Sequence, residues 1–206
     1  YAEIFYEDSR SQSVVLENGL VDASHTGAST GVGLRLLKEF RSVYGFTSDL
    51  SRKGLLTLAA SLKKSFNGER LITVTELNQI KCKNRNPISR SYKDVTREEM
   101  IDVLRQGTDA IKELNDPRLV RYIASFGANI RHVEVYNSKG KWFHRDTEFG
   151  RVAYQIIAFG PNGIESAFEG PGCQGDISYF QNKLNMREIA VNEAKKAILM
   201  LDAKEC

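Results

Sequence analysis

Asn18-Gly19 stands between two β-type runs, Val14-Val15-Leu16 and Leu20-Val21. A two-residue type I′ turn needs positive φ at both central positions, and Asn-Gly meets that need better than most pairs. The pair commits the N-terminal region to an antiparallel hairpin, because parallel strands require a much longer crossover. Ile4 and Tyr6 alternate with Phe5 and Glu7, and Gly31–Leu37 and Ser42–Thr47 read as two further strands. Residues 2–48 therefore predict β structure.

The pattern then changes period. Leu55, Leu58, Ala59, Leu62 and Phe66 recur at helical spacing, so a helix is expected over about 50–66, with Asp49 as N-cap and Asn67-Gly68 as stop. Leu71–Thr75 reads as a short strand and 78–94 as a loop. Thr96-Arg97-Glu98-Glu99 is a capping box, in which hydroxyl and carboxylate each satisfy a free N–H. It opens a helix with Met100, Ile101, Leu104, Ile111 and Leu114 on one stripe, ended by Asn115-Asp116-Pro117. From Leu119 to Phe180 the pattern returns to β. Val133 and Val135 alternate with His132, Glu134 and Tyr136, and Asn137–Gly140 and Pro161–Gly163 are turns. A last helix is expected over about 184–202. The fold class is α+β: antiparallel β-sheet segments with about three amphipathic helices. Two sub-lobes, 1–77 and 96–206, are expected on either side of a connecting loop, 78–95.

Composition narrows the function. The 206 residues carry a net charge of +3, with 41% hydrophobic and 27% charged residues. That balance excludes long disorder, and no apolar run approaches the ~20 residues of a membrane helix. Cys82, Cys173 and Cys206 are odd in number and far apart, which fits a reducing compartment and a cytoplasmic location. The chain starts at Tyr1 without a basic, apolar leader and stops at Lys204-Glu205-Cys206, so it is read as part of a longer protein.

Few residues carry obvious chemistry. His25, His132 and His144 are isolated in sequence, and none starts a His-Glu-x-x-His frame. His132 and His144 flank an expected hairpin and can meet across it, but ordinary surface or packing roles are expected of them. Cys173 lies in Gly170-Pro171-Gly172-Cys173-Gln174-Gly175, which lacks the base that a thiol nucleophile needs. Gly27-Ala28-Ser29-Thr30-Gly31-Val32-Gly33 has neither phosphate-loop nor dinucleotide-loop spacing and opens a strand pattern. Lys81–Lys93 has five basic residues, no acid and one aromatic, Tyr92. That is a poor single-strand platform, so a solvated loop is expected and no nucleic-acid partner.

Taken together, the motifs resemble the TldD/PmbA zinc metallopeptidases, the modulator of DNA gyrase family. Tyr1-Ala2-Glu3, Ser11–Val14 and Asn18–Val21 resemble the family's first hairpin. Gly31–Arg35 and Tyr44–Ser51 resemble its next strands and first helix entry. Asp116-Pro117-Arg118 and Val135–Gly140 resemble its middle segment. Arg151 and Gly170-Pro171-Gly172 resemble the TldD side of the family. Residues 68–96 match it least.

The resemblance implies an N-terminal domain, 1–206, of a protein roughly twice as long, whose His-Glu-x-x-x-His helix and distant Cys lie after this chain. It implies zinc in the full-length parent and none bound by this fragment. It implies no catalytic and no metal residue here. For Gly170, Pro171 and Gly172 the ordinary reading is a plain turn, and the functional one is a substrate-groove loop that allows close backbone approach. The parent would be a hydrolase acting on unfolded peptides, with a PmbA-like (TldE-like) partner subunit or a second copy of itself. The competing readings are a stand-alone, non-enzymatic protein-interaction module and a DNA- or gyrase-binding protein.

Overall fold

A computed structural model describes residues 1–66, 73–74, 76–81, 83 and 86–203. Its strands are β1 (Ala2–Glu17), β2 (Leu20–Lys38), β3 (Arg41–Thr47), β4 (Asn78–Gln79), β5 (Leu119–Asn137), β6 (Lys141–Gly160), β7 (Gly163–Glu169) and β8 (Gly172–Gln174). Its helices are α1 (Arg52–Lys63), α2 (Arg97–Glu113), α3 (Ser178–Asn182) and α4 (Met186–Leu201). The strands form one sheet in the order β3-β2-β1-β5-β6-β4, with β7 and β8 also paired to β6. The α+β class is as expected. One pairing, β4 with β6, is parallel.

Local chemistry places the elements. Asn18 and Gly19 have φ of 51° and 80°, as a type I′ turn requires. The β2–β3 turn is also two residues long, since Lys38 pairs with Arg41. Its Glu39 takes φ of 54° without glycine, and Phe40 is fully exposed. Thr96 makes the expected capping box with Glu99. The cap of α1 is Ser51, not Asp49: Ser51 Oγ accepts from Gly54 N at 3.1 Å, while Asp49 accepts from Ser51 N at 2.9 Å. Asp49 is thus two residues too early and holds the cap residue instead. The stop at Asn67-Gly68 lies outside the described residues, as does most of the strand expected over Leu71–Thr75.

The chain divides into two compact units that interleave in sequence. Unit 1 comprises Tyr1–Arg10, Ala28–Arg85 and Arg131–Thr147, and unit 2 comprises Ser11–Gly27, Asn86–Ile130 and Glu148–Cys206. In unit 1, α1 packs on β3, where Leu58 and Leu62 lie over Gly45. None of the α1 residues is buried.

Unit 2 holds the hydrophobic core. β6 contributes Val152, Tyr154, Ile156 and Ala158, at every second residue, and β5 contributes Ala124, Phe126 and Ala128. Helix α2 adds Met100, Ile101, Leu104 and Ile111, and α4 adds Ala190, Ala194, Ala197 and Leu201. α4 packs against α2 and β7. Gly107 lets α2 approach β6 closely, because a Cβ there would lie 2.5 Å from the Tyr154 ring.

Two buried carboxylates tie the segment before α2 into unit 2. Glu148 accepts from Ser91 Oγ at 2.7 Å and from Tyr92 N at 2.7 Å. Asp176 accepts from Ser89 Oγ at 2.6 Å and Ser89 N at 3.0 Å, and also from Ser178 N and Oγ. Tyr92 is consequently fully buried. The expected solvated loop is therefore docked at its C-terminal end. Its aromatic ring packs against Phe126 and is not available to stack on a base.

The hydrogen bonds from Ser178 and Ser89 hold the Asp176 carboxyl far below the usual carboxylate range. A depressed folded-state value contributes stability above the unfolded value of about 3.9, and that contribution is lost as pH falls toward the folded value. Asp176→Asn should cost about 2 kcal/mol near neutral pH, the scale of hydrogen bonds to a charged group. Urea unfolding of both proteins should show that deficit shrinking as pH is lowered from about 5 to about 2. A deficit independent of pH would show that the charge of Asp176 contributes nothing.

Candidate functional site

Alternation along the β5–β6 hairpin puts His132, Glu134 and Tyr136 on one side of β5, and Trp142, His144 and Asp146 on one side of β6. All belong to unit 1. The turn between them, 138–140, is held by Asn137, whose Oδ1 accepts from Lys139 N at 3.0 Å, and by Gly140 at φ 70°. Such a turn fixes the register, so side chains far apart in sequence meet in a fixed order.

His132 is the centre of the group. Its Nδ1 lies 2.6 Å from Asp146 Oδ1, and its Nε2 lies 3.0 Å from Glu134 Oε1. The Tyr136 hydroxyl donates to the other oxygen of Glu134. Trp142 stacks on Tyr136 with centroids 5.5 Å apart and planes at 10°. The His144 ring lies 6.0 Å from Trp142 and 6.1 Å from His132, and Tyr6 meets His132 edge-on. Nitrogen or oxygen atoms of His132, His144 and Asp146 all lie within 4.8 Å of one another.

The electrostatics follow from these contacts. Asp146 first, and then Glu134, raise the His132 pKa above the ordinary imidazole value. Tyr136 first, and then His132, hold the Glu134 carboxyl below its usual value. The same contact with Glu134 pushes the Tyr136 phenol up to about 12. Two imidazoles and two carboxylates on a rigid hairpin can hold a proton or a divalent cation.

The other residues singled out in the sequence are placed elsewhere. Gly170 and Pro171 bridge β7 to β8 in unit 2, and Gly172 opens β8. Pro171 O accepts from Val152 N at 3.0 Å, and Gly170 O accepts from Arg151 Nε at 3.2 Å, so the loop lies along β6. Gly172 is exposed and pairs with Arg151. Cys173 is half-buried, and burial, with Asp176 nearby, raises its thiol pKa away from a reactive thiolate. Cys82 and Cys206 lie outside the described residues. His25 is exposed in β2. Gly31 and Gly33 sit within β2, paired with β3 or next to it, as a strand pattern predicts. Unit 1 also carries an open apolar cavity of about 530 Å³, lined by Ala2, Ile4, Leu34, Val74, Leu77 and Tyr136 among others.

Glu134, Tyr136, Trp142 and Asp146 were not singled out in sequence as site residues. Their signal is a period-two row on each side of the Asn137–Gly140 turn, polar or aromatic where a core strand would be apolar.

Two family models match the chain in order. PmbA/TldA metallopeptidase domain 1 matches residues 2–66, and the PmbA/TldA metallopeptidase central domain matches residues 90–201. The stretch between them overlaps the region of weakest resemblance. Among curated proteins none matches the chain. Several solved structures share its fold. One, from Thermotoga maritima and named for modulation of a DNA gyrase, has a TM-score of 0.74 and 17% identity over 100% of this chain and 45% of its own. Another of that name, from Bacteroides thetaiotaomicron, has a TM-score of 0.78 and 16% identity over 100% of this chain and 47% of its own. TldE from Thermococcus kodakarensis has a TM-score of 0.70 and 15% identity over 96% and 44%. The chain thus spans less than half the length of the structures it matches.

The stacked pair at the head of the hairpin should be coupled. A double-mutant cycle of Tyr136→Leu and Trp142→Leu, read by chemical denaturation under circular dichroism, should give a coupling of about 1 kcal/mol, the range of offset-stacked aromatic pairs. Additive losses would mean that the stack contributes only buried area.

Proposed function

The chain belongs to the PmbA/TldD metallopeptidase family, and on that premise we propose that it is the N-terminal, non-catalytic part of a longer, TldD-like zinc metallopeptidase that cleaves unfolded peptides. The observation that carries this reading is the order of the two matched models, a first and a central domain, on a chain less than half as long as the structures sharing its fold. The sequence agrees: His25, His132 and His144 are followed by Thr, Val and Arg, so none begins a His-Glu-x-x-x-His run. The catalytic zinc would be held by residues beyond this chain. When bound it would polarise the scissile carbonyl and lower the pKa of water.

This chain would bind and orient peptide and partner. An extended peptide recognised through its backbone can have almost any sequence, as a peptidase for unfolded chains requires. Gly170, Pro171 and Gly172 are the proposed groove loop, because Gly172 is exposed and presents backbone without a side chain. Tyr44, Phe46 and Phe40 are exposed around the β2–β3 hairpin, which supports contacts with a PmbA-like (TldE-like) subunit or a second copy of the chain. Among the described residues no helix is long and apolar enough to cross a membrane. A cytoplasmic location is proposed from the odd, scattered cysteines.

Hydrolysis of an unfolded peptide should be measured for this chain and for its full-length parent, each with and without the partner subunit and with zinc added. The parent with its partner should cleave, and this chain should not. Cleavage by this chain would overturn the reading. A reading frame closing shortly after Cys206 would favour a stand-alone interaction module. In the parent, Gly172→Trp should lower kcat/KM several-fold; because a Cβ there would lie 3.2 Å from Gly150 O, the melting temperature is measured beside it, and unaltered turnover would remove the groove role.

A further inference from the structure

We propose that His132, His144 and Asp146 form a surface site for a divalent transition cation of the zinc class, with Glu134 and Tyr136 fixing the orientation of His132. The site is independent of the function proposed above. It revises the expectation that no metal is bound by this part of the protein.

The donor set comes first. Two imidazoles and a carboxylate suit zinc and its borderline neighbours, whereas calcium and magnesium favour all-oxygen sites. Geometry comes next. Tetrahedral ligands about 2.1 Å from zinc lie about 3.4 Å from one another. Donor atoms of the three residues lie within 4.8 Å of one another, and His132 Nδ1 and Asp146 Oδ1 lie 2.6 Å apart. Admitting an ion requires one pair to open by about 0.8 Å and the others to close by at most about 1.4 Å. His144 and Asp146 are exposed and at strand positions, so rotation of their side chains supplies the movement without moving the backbone.

The surroundings of His132 point the same way. A metal-bound histidine characteristically donates its second ring N–H to a carboxylate, which fixes tautomer and ring plane. Glu134 sits at 3.0 Å from Nε2, leaving Nδ1 to face Asp146 and the ion. The Tyr136 hydroxyl holds the other oxygen of Glu134, and Trp142 packs on Tyr136. A simple surface ion pair does not need this second layer. Three protein ligands leave a fourth position for water or a ligand group.

Trp142 is the sole tryptophan of the chain and lies 6.0 Å from the His144 ring, so its fluorescence reports on the site. Cobalt(II) is the probe, added to the 206-residue chain at mildly alkaline pH. One equivalent should quench Trp142 and give a ligand-field spectrum without a thiolate charge-transfer band, and zinc should displace it. His144→Ala should weaken binding at least tenfold, and Glu134→Gln about tenfold, the effect of an outer carboxylate. Cys173→Ser and His25→Ala should leave binding unchanged, and circular dichroism should show all variants folded. Three results would each overturn the proposal: no saturable binding up to millimolar cobalt, equal binding by His144→Ala, or an equal loss in His25→Ala.

Discussion

Both the core and the candidate metal centre are laid out on the even-numbered positions of β5 and β6. Along β6, Glu148, Gly150, Val152, Tyr154, Ile156 and Ala158 are buried in an unbroken alternation. The same parity continues backward through Asp146, His144 and Trp142. Along β5, Ala124, Phe126 and Ala128 are followed at the same parity by His132, Glu134 and Tyr136. Because side chains on a strand repeat every two residues, a slip of one residue would put the core residues into water and scatter the hairpin cluster. Register therefore fixes both features at once. It is set by the Asn137–Gly140 turn at one end of the hairpin and by the pairing of β8 and β7 with β6 further along.

The change along that row, from apolar to ionisable, matches the division into units. Unit 2 has α2 and α4 to cover its strands, and two of its buried carboxylates are answered: Glu148 and Asp176 each receive N–H and O–H donors, which offsets the cost of burying a carboxylate, whereas Glu193 keeps one oxygen without a partner among the described residues. Among the described residues unit 1 has only α1, which buries no residue of its own, and keeps exposed apolar side chains around the β2–β3 hairpin. A region with so little core relies on turns, strand pairing and side-chain ladders for its order. The Tyr136–Trp142 stack and the His132 network are such ladders.

Local chemistry was readable from the residues wherever the determinant is local. Asn18-Gly19 and the Thr96–Glu99 box each encode their geometry within four positions, and the stripes of α2 and α4 are complete within the helices themselves. The two-residue turn at Glu39-Phe40 was missed because Glu is not a residue that announces positive φ. The docking of Ser89–Tyr92 was missed for a different reason. Its partners, Glu148 and Asp176, lie 56 or more residues away, so a basic, polar segment looked solvated. The short strands β4 and β8 carry too few residues for any period to show. The hairpin cluster lay between these cases. His132 and His144 were recognised as able to meet, but their carboxylate partners take part only once the register is known.

The His132 network also constrains what a bound ion would do to the fold. Without an ion, both ring nitrogens already face carboxylates, and the Tyr136 hydroxyl is satisfied by Glu134. With one, Nδ1 and Asp146 become ligands while Glu134 and Tyr136 keep their places. Each state satisfies the groups concerned, so the hairpin does not need a metal to form. This differs from small zinc domains, in which the ligands have no other partners and metal-binding free energy is folding free energy. A site of this kind adds occupancy to a surface that is already ordered. Its consequence is a new charge and an open coordination position on one face of the β5–β6 hairpin, rather than a change in which fold the chain adopts.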